Sequence, residues 1–79
     1  MNKEEFLNIV RTEIVRVNDN PVDNVSEAVV AIGHLADGTE PPGKHCTATT
    51  ECMEAWDNLS NEEQCELWDL ACKGVLDEE

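Results

Sequence analysis

The chain carries 79 residues, with 18 Asp and Glu against five Lys and Arg, for a formal net charge of −13. A chain this short makes one domain, whose core supplies roughly 3–5 kcal/mol of net stability unless it is stapled and leaves little room for a deep active site. Its charge disfavours direct contact with nucleic acid or anionic lipid, and makes a basic protein surface or a cation the natural complement.

Asn2 is placed to cap a first helix, with Glu5 three residues later, and Phe6, Leu7, Val10, Ile14 and Val17 then recur on one stripe at about 100° per residue. Helix one is predicted over residues 3–17. An opening with acids inside an amphipathic segment is neither a signal peptide nor a membrane span, so the expectation is a cytoplasmic protein with reduced thiols. Asn18, Asp19 and Asn20 break the helix, and Asn20-Pro21 has the order of a cap followed by a first-turn proline. Helix two is predicted over 21–36, with Val22, Val25, Ala28, Val29, Ile32, Leu35 and Ala36 on its apolar face and Asp37-Gly38 at its end. Residues 37–48 include Pro41-Pro42-Gly43, show no apolar period, and read as the one long loop.

Thr49 or Thr50 caps a third helix over 50–58, in which Cys52, Met53, Trp56 and Leu59 face one way and Glu51, Glu54 and Asp57 the other. Ser60 and Glu63 form a capping box for a fourth helix over 61–73, whose apolar face is Leu67, Trp68, Ala71, Cys72 and Val75, with Gly74 as its stop. The short link between helices three and four predicts an antiparallel hairpin, with Cys52 near Trp68 and Trp56 near Cys65. No strand-like alternation, internal repeat or second domain is visible. The expected fold class is all-α: a small four-helix domain with a C-terminal antiparallel helical hairpin and both tryptophans as core anchors.

Cys46, Cys52, Cys65 and Cys72 are spaced C-x5-C-x12-C-x6-C, with His45 directly before the first. Structural zinc sites use tighter knuckles such as C-x2-C, because two ligands must converge from one turn. Cys52, Cys65 and Cys72 fall on predicted apolar faces, so they are read as small buried hydrophobes. A zinc set drawn from the four cysteines and His45, or one or more disulfides, stands as the alternative. His34 with Asp23 and Glu27 on the outer face of helix two offers two carboxylates and an imidazole without a fourth ligand, and its ordinary reading is a solvated face. His45 and Cys46 are sequence neighbours with no triad or oxyanion signature around them. No enzyme activity, cofactor or metal is expected.

Between Lys44 and Lys73 there is no lysine or arginine, while Glu51, Glu54, Asp57, Glu62, Glu63, Glu66 and Asp69 all fall in that gap. Glu62, Glu66 and Asp69 form one row on helix four with Glu63 beside it; Glu51, Glu54 and Asp57 form a second on helix three. Such a run can be a solvated face that keeps a small protein soluble. Two rows also resemble in outline the paired phosphates of a duplex, which DNA-binding proteins meet at about one charge per 1.7 Å of helix axis. Leu70 lies on the wheel among Glu63, Glu66, Asp69 and Lys73, as an apolar anchor inside a charged rim or as an ordinary exposed leucine.

The expectation is a non-enzymatic acidic protein that binds and inhibits or modulates a basic, nucleic-acid-acting protein through Glu51, Glu54, Asp57, Glu62, Glu63, Glu66, Asp69 and Leu70. In size and charge the chain resembles the antagonists, DNA mimics among them, that phages and mobile elements direct against restriction, CRISPR or transcription machinery. The alternative is a small helical adaptor or homodimer that recognises its partner through Leu70 and the loop Thr39 to Ala48. A Cys/His zinc-binding protein comes third.

Overall fold

The computed structural model describes residues 1–16, 24–39 and 49–77. They form α1 (Lys3–Arg16), α2 (Val25–Ala36), α3 (Thr50–Asp57), α4 (Asn61–Cys72) and a closing turn of 3-10 helix, Val75–Asp77. Among the described residues there is no strand, and no helix is long and apolar enough to cross a membrane. The four-helix, all-α expectation holds.

Helix starts follow local chemistry. The Asn2 side chain accepts from the Glu5 N–H at 2.9 Å, and Thr49 accepts from the Cys52 N–H at 3.2 Å. Ser60 and Glu63 make the full capping box, the Glu63 N–H donating to Ser60 Oγ at 3.2 Å and the Ser60 N–H to Glu63 Oε1 at 3.4 Å. Each satisfies backbone donors that the first turn of a helix leaves open. The beginning of α2 differs from the prediction. Asn24, extended at φ −152, is its cap and accepts from the Glu27 N–H at 2.7 Å. Asn24-x-x-Glu27 is itself a cap spacing. Val17, Val22 and the predicted start at Pro21 lie outside the described residues, as does most of the predicted loop, residues 40–48. At the two stops, Gly38 (φ +76) and Gly74 (φ +72) take the left-handed conformation that ends a helix without a Cβ penalty.

α2 is the central element, and α1, α3, α4 and the 3-10 turn all pack against it. Its burial extends past the predicted stripe to Ser26, Ala31 and Gly33, the pattern of a helix enclosed on more than one side. Phe6, Val10, Val29 and Leu67 are the most completely buried side chains, and Phe6 meets Trp56 with ring centroids 5.5 Å apart. α3 and α4 follow each other across residues 58–60, but α3 packs chiefly on α1 and α2, and α4 on α2. The tie across their turn is polar: Gln64 Nε2 donates to the Trp56 carbonyl at 2.7 Å.

The chain's last turn also holds the fold closed. Leu76 is buried, whereas Val75, predicted on the apolar face of α4, is 40% exposed. After Gly74 the backbone leaves the helical path, so the 3.6-residue period no longer governs which side chain faces inward. Asp77 accepts from the Val25 N–H at 2.7 Å and from the Ser26 N–H at 3.3 Å, so its carboxylate sits on the open first turn of α2. Acids at that position gain from both the free N–H groups and the helix dipole. Asp77→Ala is expected to cost about 1 kcal/mol, the typical worth of a helix cap, measured by urea denaturation; an unchanged midpoint would show that the contact contributes nothing.

Candidate functional site

The fold redistributes the acids of the proposed surface. Lys3, from the start of α1, pairs with Glu66, and Lys73 pairs with Asp69 at 2.9 Å along α4. Glu63 is spent on the cap of its own helix. The row Glu62, Glu66, Asp69 is therefore compensated at two of its three positions, a correction to the picture of unbroken negative charge. Both ion pairs are solvent-exposed, where such contacts contribute about 0–1 kcal/mol, so they trim the local field more than they stabilise the fold. Glu54, Asp57 and Glu62 remain exposed, with no hydrogen bond or ion pair through their side chains among the described residues. Glu51 is exposed beside them at the start of α3 and takes part in an interaction of its own. Because α3 and α4 meet chiefly through α2, the two rows are not held as one closely paired strip.

The apolar face of α4 is rotated from the predicted one. Its buried centre is Leu67 and Ala71, with Leu70 half-buried and packed on the core, while Cys65 and Cys72 are exposed. Leu70 is thus a packing residue, not an apolar anchor ringed by acids, and the two thiols are not core hydrophobes. The predicted face ran through Leu67, Trp68, Ala71 and Cys72. Docking on α2 centres the contact on Leu67 and Ala71, since small Ala71 lets the helices approach and Leu67 is fully buried. Cys52 is buried as expected. Burial pushes its thiol above the ordinary value; hydrogen bonding from Thr49 opposes the shift, and the Glu13 and Glu51 carboxylates add to it. It is held as a neutral, unreactive thiol.

Trp56 is buried, but Trp68 is only half-buried and lies across the bare Cα of Gly33. A Cβ at position 33 would stand 2.5 Å from Trp68 Cζ3 and 2.7 Å from Cε3, so only glycine admits this placement. His34 meets Trp68 edge-on with centroids 5.0 Å apart, and its Nδ1 lies 2.8 Å from Thr39 Oγ1. That holds His34 to an aromatic and a hydroxyl instead of to Glu27, while Asp23 lies outside the described residues. Among the described residues no three His, Cys, Asp or Glu side chains converge in a metal-holding group. Cys46 and His45, the remaining members of the zinc alternative, and the Thr39 to Ala48 loop from residue 40 on, lie outside them.

Two features escaped the sequence reading. Glu13, in a helix whose other early acids are exposed, is buried at 4% exposure. Gly33 brings α2, Trp56 and Trp68 together, and an isolated glycine inside a helical pattern was the available sign of close approach there. No protein-family profile, curated protein or solved structure matches the chain, so its functional reading rests on its own chemistry.

Proposed function

We propose that this is a non-enzymatic acidic protein that binds and modulates a basic, nucleic-acid-acting protein through the exposed carboxylates of α3 and the start of α4. The observation that supports this most directly is the run of seven acids without a lysine or arginine between Lys44 and Lys73. Glu54, Asp57 and Glu62 keep their charge unpaired among the described residues even after Lys3 and Lys73 have found partners. Like charges held on a compact domain cost stability, and a basic partner would offset that cost on binding. An antagonist of restriction, CRISPR or transcription machinery is one such role. Its DNA-mimic version asks for a continuous row on α4, and Lys3 and Lys73 interrupt that row. Glu54, Asp57 and Glu62 are therefore the contacts we put forward. The adaptor alternative would rest on Leu70, which is partly packed against the core, and on the loop.

The test is capture of the partner from the native cell, followed by affinity measurement over a salt series. Binding is expected to weaken steeply as screening shortens from about 8 Å at physiological ionic strength. The triple variant Glu54→Gln, Asp57→Asn, Glu62→Gln should lower affinity and association rate together, with an unchanged fold. Glu4 and Glu5, exposed on α1, make the control; buried Glu13 does not. An affinity flat in salt, or a triple variant that binds like the parent, would overturn the electrostatic reading.

A further inference from the structure

The C-terminal ends of α2 and α3 converge on the first turns of α4, leaving a depression of about 330 Å3 lined by Gly33, Asp37, Trp56, Gln64, Cys65 and Trp68. Its apolar surface is aromatic. Trp68, partly exposed, and the more buried Trp56 both line it, and both rings come close to Gly33. Its electrostatics have one sign. The final carbonyls of a helix carry partial negative charge, and two helices end here. Gln64 answers one of those carbonyls, that of Trp56. Where a helix end favours a cation, α2 has only the imidazole of His34 in its last turn, and its C-cap is Asp37, exposed and with no side-chain hydrogen bond or ion pair among the described residues. The last turn of α3 likewise holds Asp57 and no basic residue.

We propose that this depression receives an arginine side chain of the basic protein partner. The proposal rests on the reading of the acidic surface above and names its anchor. A guanidinium is planar and weakly hydrated, stacks on indole faces and presents a fork of N–H donors to a carboxylate. Trp68 supplies the face, Asp37 the carboxylate, and the end of α2 the supporting negative potential. A lysine ammonium is compact and strongly hydrated; it suits the charge but gains less from the indole. Asp57 follows Trp56 in the chain and Glu62 precedes Gln64 by two positions, so the charges proposed as the rim lie beside this anchor in sequence. An arginine held in an aromatic pocket with acids around it is the usual composition of a binding hot spot.

The experiment is an NMR titration of the full chain, following the backbone amide resonances and the indole N–H resonances of Trp56 and Trp68 at fixed ionic strength. The probes are the blocked peptide Gly-Gly-Arg-Gly-Gly and its lysine and citrulline counterparts. The arginine peptide is expected to shift the Trp68 indole saturably, the lysine peptide to bind several-fold more weakly, and the neutral citrulline peptide not to saturate. Asp37→Asn keeps the shape but removes the charge and one of the two acceptor oxygens, and should weaken arginine binding by about tenfold. An unmoved Trp68 indole, an equal response to lysine, or an Asp37→Asn protein that binds like the parent would each overturn the assignment. Shifts confined to Glu54, Asp57 and Glu62 would do so while leaving the acidic surface standing. Saturable arginine binding combined with salt-independent partner capture would keep the depression and remove that surface.

Discussion

Replacing Trp56 by Ala is expected to leave the protein largely unfolded. The indole is 6% exposed and packs against Phe6, itself fully buried, where α1 meets α3. Truncating a buried aromatic costs about 3–5 kcal/mol, because the transfer energy is lost and the surroundings cannot collapse into the hole. A core of this size supplies roughly that much in total. Circular dichroism should show most of the helical signal gone. A variant that melts within about 10 °C of the parent, when 1 kcal/mol shifts the midpoint of a domain this size by about 4–8 °C, would place the weight of the core elsewhere. Trp68→Ala should cost less, since that side chain is only partly buried.

The second large effect is expected at Gly33, where two physical contributions oppose each other. Glycine to alanine inside a helix gains about 1 kcal/mol in propensity. At this position the new methyl would stand 2.5 Å from Trp68 Cζ3, so the indole must leave its place or α2 and α4 must part. Overpacking of this kind costs about 1–3 kcal/mol. Because the atoms in the way belong to a rigid bicyclic ring that meets His34 edge-on, a small rotation does not relieve the contact. Gly33→Ala should therefore lose stability on balance and shift the Trp68 fluorescence. In Gly33→Ala combined with Trp68→Leu the propensity gain should reappear, leaving that pair more stable than the sum of the single changes predicts. Additive effects, or a Gly33→Ala protein more stable than the parent, would show that Trp68 does not rest on this glycine.

The same glycine separates the two kinds of information in the chain. Local spacing was enough to read the four helices, the caps at Asn2, Thr49 and Ser60, and the stops at Gly38 and Gly74, because caps and left-handed glycines act on the backbone within one turn. It was enough to find Phe6, Val10, Val29, Trp56 and Leu67 as core, since each stands near the middle of its apolar stripe. The excess of acid could be counted directly. Spacing did not resolve the edges of those stripes. Residues beside a buried centre differ by one step around the wheel, and the neighbouring helix decides which step is covered, so Leu70 went in while Cys65 and Cys72 stayed out. Nor can spacing see partners distant in the chain. Lys3 reaches Glu66, Asp77 closes the first turn of α2, and Glu13 lies within the packed side of α1. Coulomb and hydrogen-bond partners are chosen by distance through space, which only the packing of α1, α3 and α4 around α2 establishes.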